Sequence, residues 1–291
     1  MLCSLCPRNC NAPRTETEGR GVCRMPETPV VARAALHRWE EPPISGQNGS
    51  GTVFFSGCSR GCVFCQNEEI SHRDFGKPVS ISRLREIFSA LIAQGAHNIN
   101  LVNPTHFTHA GAQSLEGEPL PVPVVWNSGG YDKADTLRML EGKVQVYLPD
   151  YKYRTPELAG RYSAAPDYPQ VAEQAILEMF RQVGPCVVED GLLKRGVVIR
   201  HLILPGKLGE AKAVMDWVAG HFAPGEVLFS LMRQYTPWGR AAEFPELNRR
   251  LRPSEARAAE EYMTALGLEG FAQDAGAAEE GFIPPFDLTG V

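Results

Sequence analysis

Thr52-Val53-Phe54-Phe55-Ser56-Gly57-Cys58-Ser59-Arg60-Gly61-Cys62-Val63-Phe64-Cys65-Gln66-Asn67 runs a short apolar, β-branched and aromatic segment into a loop carrying three cysteines spaced C-x3-C-x2-C. The apolar segment reads as a buried strand, with the cysteine loop at its carboxyl end. Three thiolates do not complete the four ligands of a structural zinc site. They suit a four-iron cubane with one iron left open. Gly57 and Gly61 let the backbone wrap closely round such a body and leave N–H groups near its sulfurs. Zinc with a fourth ligand from elsewhere, or three merely buried thiols, are the other readings of the spacing.

Outward from this loop, the cysteine distribution is uneven. Of eight cysteines, Cys3, Cys6, Cys10, Cys23, Cys58, Cys62 and Cys65 lie in the first quarter and only Cys186 lies beyond. No signal-peptide pattern opens the sequence, so a reduced cytoplasmic protein is expected, in which clustered thiols bind metal more often than they pair. Cys3-x2-Cys6-Pro7-x2-Cys10 and Gly19-Arg20-Gly21-Val22-Cys23 supply four cysteines in a Gly/Pro-containing stretch. They suit zinc or a second cluster, and spacing alone does not choose between these or exclude an unmetallated segment. Cys186 reads as an ordinary, partly buried thiol.

Downstream, strands and helices alternate. Strands are expected at 52–55, 98–102, 122–126, 144–148, 196–204 and 227–232. The helices between them are one capped by Ser82 with Leu84, Ile87, Phe88, Leu91 and Ile92 on its apolar face, one from Asp132 to Leu140, one begun by Asp167, and 209–221; Glu255 to Leu266 is the last. Six βα units imply a parallel sheet and are too few for a full eight-fold barrel, so the expected fold is α/β, a partial (β/α)6 barrel. Residues 1–50 form an irregular cysteine-rich extension, 51–250 the barrel, and 251–291 a helix and covering tail. Parallel sheets bind ligands at the carboxyl ends of their strands. There lie Asn103-Pro104-Thr105-His106, Asn127-Ser128-Gly129-Gly130, Asp150-Tyr151-Lys152, Arg200-His201 and Gln234-Tyr235. His37, His72, His97 and His221 read as satisfied structural histidines.

Composition bounds the partners. In 291 residues, 43% hydrophobic and 22% charged, there is material for a substantial core. Lys+Arg number 29 against 34 Asp+Glu, a net charge of −5 that argues against nucleic acid held by bulk charge. No apolar run approaches the roughly 18 residues of a membrane helix.

The cysteine loop after a first barrel strand, with Phe64 just before its last cysteine, resembles the signature of the radical S-adenosylmethionine (SAM) superfamily. Leu5-Cys6-Pro7-Arg8, Glu40-Glu41-Pro42-Pro43-Ile44-Ser45-Gly46 and Tyr147-Leu148-Pro149-Asp150-Tyr151-Lys152-Tyr153 extend the likeness to the group related to pyruvate formate-lyase activating enzyme. The resemblance implies that Cys58, Cys62 and Cys65 bind three irons of a [4Fe-4S] cluster whose fourth iron chelates SAM. Reductive cleavage to a 5′-deoxyadenosyl radical and hydrogen abstraction would follow, with flavodoxin or ferredoxin as reductant.

By position, the resemblance places Phe64 and Asn67 at the adenine, and Thr105 and His106 where the superfamily often has a Gly-Gly-Glu segment for the methionyl amine. Asn127, Ser128, Asp150 and Lys152 match the segments flanking a monovalent cation and the SAM carboxylate, and Arg200 faces the same rim. His106, and Asp287 in the tail Phe282-Ile283-Pro284-Pro285-Phe286-Asp287-Leu288, are the candidate catalytic groups. The activating enzymes with extra clusters carry a ferredoxin-like segment after the signature; here the extra cysteines precede it. The substrate is then a small molecule or peptide, or alternatively a backbone glycine of a partner enzyme. A non-catalytic metal-binding regulatory protein is the reading from another class.

Overall fold

The computed structural model describes residues 2–273 and 284–291. The strands are β1 Leu2–Cys3, β2 Ala12–Pro13, β3 Val30–His37, β4 Ser50–Phe55, β5 Lys77–Pro78 and β6 Ile99–Val102. They continue as β7 Val124–Ser128, β8 Val146–Pro149, β9 Val187–Glu189, β10 Leu192–Leu202, β11 Leu228–Met232 and β12 Gly270–Ala272. β1 and β2 form a small ladder of their own; the main sheet runs β12-β11-β10-β8-β7-β6-β4-β3-β5, with β9 beside β10. From β4 through β6, β7, β8 and β10 to β11, every neighbouring pair is parallel. These are the strands expected from the sequence, and they lie in the sheet in chain order.

Period-two alternation decides what each strand shows to either face. Trp126 and Tyr147 join the core between sheet and helices, with Leu84, Ile87, Phe88 and Leu91 of helix Ile81–Ala93 and Ala172, Ile176 and Met179 of helix Tyr168–Val183. Val125, Val146, Leu148 and Val198 belong to a second cluster with Ile44. Continuing each alternation toward the carboxyl end substitutes Asn127 after Val125, Asp150 after Leu148 and Arg200 after Val198. The sequence therefore seals the lower part of that face with aliphatic groups and makes its upper end polar.

Several expectations are corrected. Residues 1–50 are not irregular throughout. Six of the eight residues of β3 pair antiparallel with β4, so a boundary at 50/51 falls inside β4, after its first residue. β12, which had no signal in the sequence reading, adds a parallel strand beside β11. Ser80, not Ser82, caps helix Ile81–Ala93, its hydroxyl accepting the Arg83 N–H at 3.1 Å. Asp132 caps nothing; its carboxylate is used elsewhere, and the helix there is the single turn Ala134–Leu137 running into a 3-10 turn. In the tail, Phe282 and Ile283 lie outside the described residues. Residues 284–291 lie along β3, through Leu288 N–H to the Ala32 carbonyl and Ala34 N–H to the Thr289 carbonyl, and Phe286 packs edge-on against Phe54. Among the described residues no helix is long and apolar enough to cross a membrane.

Removing the Ser80 hydroxyl leaves the Arg83 N–H without its partner, so Ser80→Ala is expected to lower unfolding stability by about 1 kcal/mol. Ser82→Ala, by contrast, is expected to change it by less than half as much. Urea melts of the two variants measure the difference.

Candidate active site

The cysteine loop leaves β4 through Ser56 and Gly57. Gly57 adopts φ +79°, and a Cβ there would stand 2.8 Å from the Cys23 carbonyl oxygen. Glycine is thus required both by conformation and by the close approach of the N-terminal segment. The loop is tied on several sides. Gly57 N–H donates to the Ile70 carbonyl, Gly61 N–H to Ser163 and Val63 N–H to Tyr162. The Asn103 amide donates to the Gly57 carbonyl at 2.6 Å, and the Arg8 guanidinium to the Ser59 carbonyl at 2.7 Å. Asn103 sits at φ +57°, a conformation asparagine tolerates better than bulkier residues. From there it joins the ends of β4, β6 and β7, its own N–H reaching the Asn127 carbonyl.

Cys58, Cys62 and Cys65 line one cavity together with Phe64, Asn67, Asn127, Ser128, Asp150, Lys152 and Arg200. The Arg60 N–H points at the Cys58 sulfur (3.5 Å), and the Ser163 hydroxyl meets the Cys62 sulfur at 3.0 Å. Burial, helped by the charges of Cys62 and Cys58, pushes the Cys65 thiol up to about 12. A thiol so placed stays protonated near neutrality unless a metal takes the proton's place. Arg60 is 8% exposed. Burial works against its charge, but the Cys62 and Cys58 sulfurs outweigh it and hold the guanidinium protonated. It donates to the Gly129 carbonyl at 2.8 Å, and a Cβ on residue 129 would overlap its guanidinium.

Across the cavity, charges are paired in a chain. Lys152 contacts Asp150 at 2.6 Å and Arg200 contacts it at 2.9 Å. Arg200 also donates to Asn127 (2.7 Å) and reaches Glu40 (3.5 Å), while the Asn127 amide donates to Glu40 (3.2 Å). Burial alone would raise Asp150; Arg200 and Lys152 overcome it and hold the carboxyl at about 2. Glu40 and Glu41 are pushed up by burial, partly offset by Arg200. Behind Arg200, Glu41 Oε2, both side-chain atoms of Asn100 and Gln234 Oε1 have no hydrogen-bond partner. The sequence reading missed the roles of Arg60 and Glu40 in the site and named Asn103 only among the polar groups at the strand ends. The alternation of β6 signalled Asn100, since both its neighbours, Ile99 and Leu101, face the helices.

Of the other candidates, Ser128 lines the cavity, while Thr105, His106 and Asp287 do not. Thr105 and Ser128 donate their hydroxyls to Asp132, at 2.7 and 2.5 Å, and the Trp126 indole N–H points there too. Asp132 thereby braces the loops after β6 and β7. His106 is buried, its Nε2 against the Ser56 carbonyl at 2.6 Å, and burial lowers it to about 3. It is a neutral brace beneath the cysteine loop rather than a cavity group. Asp287 is half-exposed, paired with Arg33 on β3 at 2.6 Å, and is not among the cavity's lining residues. His72, read as structural, does line the cavity, and its Nε2 has no partner.

No family model matches the chain. The uncharacterized protein MJ0674 of Methanocaldococcus jannaschii is 30% identical over 277 residues, covering 92% of this chain and 75% of the archaeal protein. The chain belongs to the family of that protein. Among solved structures, a radical SAM methyltransferase from Sphaerobacter thermophilus superposes with a TM-score of 0.53 at 14% identity, over 77% of this chain and 66% of the enzyme. Streptococcus suis SuiB bound to S-adenosylmethionine superposes with a TM-score of 0.50 at 12% identity, over 77% of this chain and 50% of SuiB. The chain shares its fold with these two proteins and spans just under two thirds and about half of their lengths.

Asp150 makes the site acid-sensitive. Its pKa, held below the ordinary 3.8 at about 2, contributes stability that is complete above roughly pH 4 and is lost as pH falls through 2. The shift from 3.8 to about 2 corresponds to roughly 2 kcal/mol. Asp150→Asn is expected to flatten the stability profile of the metal-free protein by that amount between pH 4 and 2. Glu40 and Glu41 contribute with the opposite sign and above their ordinary value of 4.5, outside this window.

Proposed function

We propose that the chain is a radical SAM enzyme in which Cys58, Cys62 and Cys65 ligate three irons of a [4Fe-4S] cluster and the adjoining cavity binds S-adenosylmethionine. The observation that carries this is the placement of all three signature thiols on one cavity with Asp150, Lys152 and Arg200, at the carboxyl ends of parallel strands, in a radical SAM fold. The residues fit the group. The Arg60 N–H already aims at the Cys58 sulfur, and the Arg60 guanidinium offsets thiolate charge.

When bound, the cluster supplies the electron for reductive cleavage of S-adenosylmethionine to a 5′-deoxyadenosyl radical that abstracts hydrogen from the substrate. The chain's own residues bind and orient. Lys152 and Arg200 offer cations to the methionyl carboxylate, and Asp150, held ionised, offers an anion to the methionyl ammonium. Phe64, fixed edge-on against Tyr235 at 5.9 Å, and Asn67 form the wall assigned to the adenine. Gln234 lines the cavity and its side-chain oxygen has no hydrogen-bond partner, which favours a substrate that brings a donor there. A flavodoxin or ferredoxin is the proposed reductant.

Anaerobic reconstitution with iron, sulfide, dithionite and S-adenosylmethionine is expected to yield 5′-deoxyadenosine from the intact protein and none from Cys58→Ala. Lys152→Ala is expected to raise the KM for S-adenosylmethionine about tenfold or more, the effect of one charged hydrogen bond. A fully reconstituted, reduced protein that forms no 5′-deoxyadenosine contradicts the proposal and favours a non-catalytic metal protein. A glycyl radical on a partner, seen as an EPR doublet, would instead assign a protein substrate.

A further inference from the structure

The segment Glu40-Glu41-Pro42-Pro43-Ile44-Ser45-Gly46 lies between β3 and β4 in the chain, yet its two acids reach three other strands. Glu40 meets Arg200 of β10 at 3.5 Å and Asn127 of β7 at 3.2 Å, and Glu41 accepts the Ser230 hydroxyl of β11 at 3.1 Å. The segment is built to keep these acids in place. Pro42–Ser45 is a single helical turn, closed by the Gly46 N–H on the Pro42 carbonyl. Ile44, with no exposure, joins the aliphatic floor of Val125, Val146, Leu148 and Val198, and its carbonyl accepts the Asn98 amide at 2.7 Å. The Ser45 hydroxyl accepts the Glu40 N–H at 2.9 Å, so the backbone of Glu40 is itself tied to the turn.

Arg200 is held at both prongs of its fork. Its Nη2 contacts Asp150 at 2.9 Å and Asn127 at 2.7 Å, and its Nη1 contacts Glu40. Arg200, Asn127 and Asp150 line the cavity, whereas Glu40, its side chain 10% exposed, does not. A guanidinium is planar, and its use as a two-pronged donor depends on how that plane is turned. Asp150 cannot fix the plane alone. It is shared with Lys152 at 2.6 Å, and both line the cavity, where an entering ligand competes for them. Glu40 keeps its hold when the cavity fills. It also decides which way the Asn127 amide faces: with the nitrogen donating to Glu40, the oxygen is turned to receive Arg200.

We propose that Glu40 is a positioning residue of the methionyl-carboxylate site, fixing the Arg200 guanidinium plane and the Asn127 amide without touching the ligand. The proposal rests on the reading of the cavity as an S-adenosylmethionine site. A simple counter-ion behaves in the opposite way. Neutralising a counter-ion leaves the cavity more positive and tightens the binding of a carboxylate, whereas loss of a positioning contact weakens it.

Equilibrium dialysis of S-adenosylmethionine against the anaerobically reconstituted protein separates the two. Glu40→Gln keeps an acceptor for Asn127 and removes the charge facing Arg200. It is expected to raise the Kd about tenfold, the effect of one charged hydrogen bond. Arg200→Lys keeps the cation but not the planar fork, so in that background Glu40→Gln is expected to change the Kd by less than about twofold. An unchanged or lower Kd in E40Q, or the same loss in both backgrounds, would overturn the proposal. Should E40Q fail to fold, S45A decides in its place, since Ser45 ties the Glu40 backbone and lines no part of the cavity. A Kd raised about threefold in S45A supports the positioning role, and an unchanged one overturns it. Absence of binding by the unmodified, cluster-loaded protein would instead overturn the radical SAM reading, and this inference with it.

Discussion

A guanidinium with almost no contact with solvent lies between the cysteine loop and the loop after β7, and the rest of the site is arranged round it. An unpaired buried cation is costly, so Arg60 must be offset from close by. Cys58 and Cys62 do so from one side and the Gly129 carbonyl from the other. This pairing dictates the absence of a side chain at 129, whose Cβ would occupy the guanidinium's place. It also joins two loops far apart in sequence: residue 60 sets the position of the three thiols, and residue 129 follows Asn127 and Ser128 on the opposite wall.

The opposite wall obeys the same rule with the signs reversed. Asp150 is stabilised as an anion only because Lys152 and Arg200 flank it, and Arg200 in turn has Glu40 and Asn127 to satisfy. Each of these side chains comes from the last residues of a strand, or just beyond it, where alternation has changed from aliphatic to polar. The sealed aliphatic floor of Val125, Val146, Leu148 and Val198 excludes water beneath, which strengthens every charge interaction above it. A zwitterionic ligand placed here can exchange its own charges for those of the Asp150 pairs without leaving any ion alone.

The strand–helix alternation was legible because long amphipathic segments such as Ile81–Ala93 and Tyr168–Val183 and apolar runs such as Val197-Val198-Ile199 carry their period within themselves. Elements defined by a partner were not. β3 alternates no more clearly than its surroundings and becomes a strand through β4, and Gly270–Ala272 becomes one through β11. Asp132 has the residue type of a helix cap, but three buried donors, Thr105, Ser128 and Trp126, claim its carboxylate. His106 and Thr105 were legible as polar groups at a strand end, yet a side chain there turns either into the cavity or beneath the loop, and the choice depends on acceptors contributed by distant residues. Asp287 was drawn to Arg33 by the lie of the tail on β3, which no local pattern announces. Asn103, by contrast, carried its own signal, an asparagine tolerant of left-handed backbone where two strands end.

The central claim is that the three signature thiols hold a cluster whose open corner meets the amino-acid end of S-adenosylmethionine. Electron–nuclear double resonance on the reduced protein, with the amine of S-adenosylmethionine labelled with nitrogen-15, tests it most directly. A hyperfine coupling between the label and the cluster spin that disappears in C58A/C62A/C65A is the predicted result. Binding of the labelled molecule to the reduced, cluster-loaded protein without any coupling would contradict it.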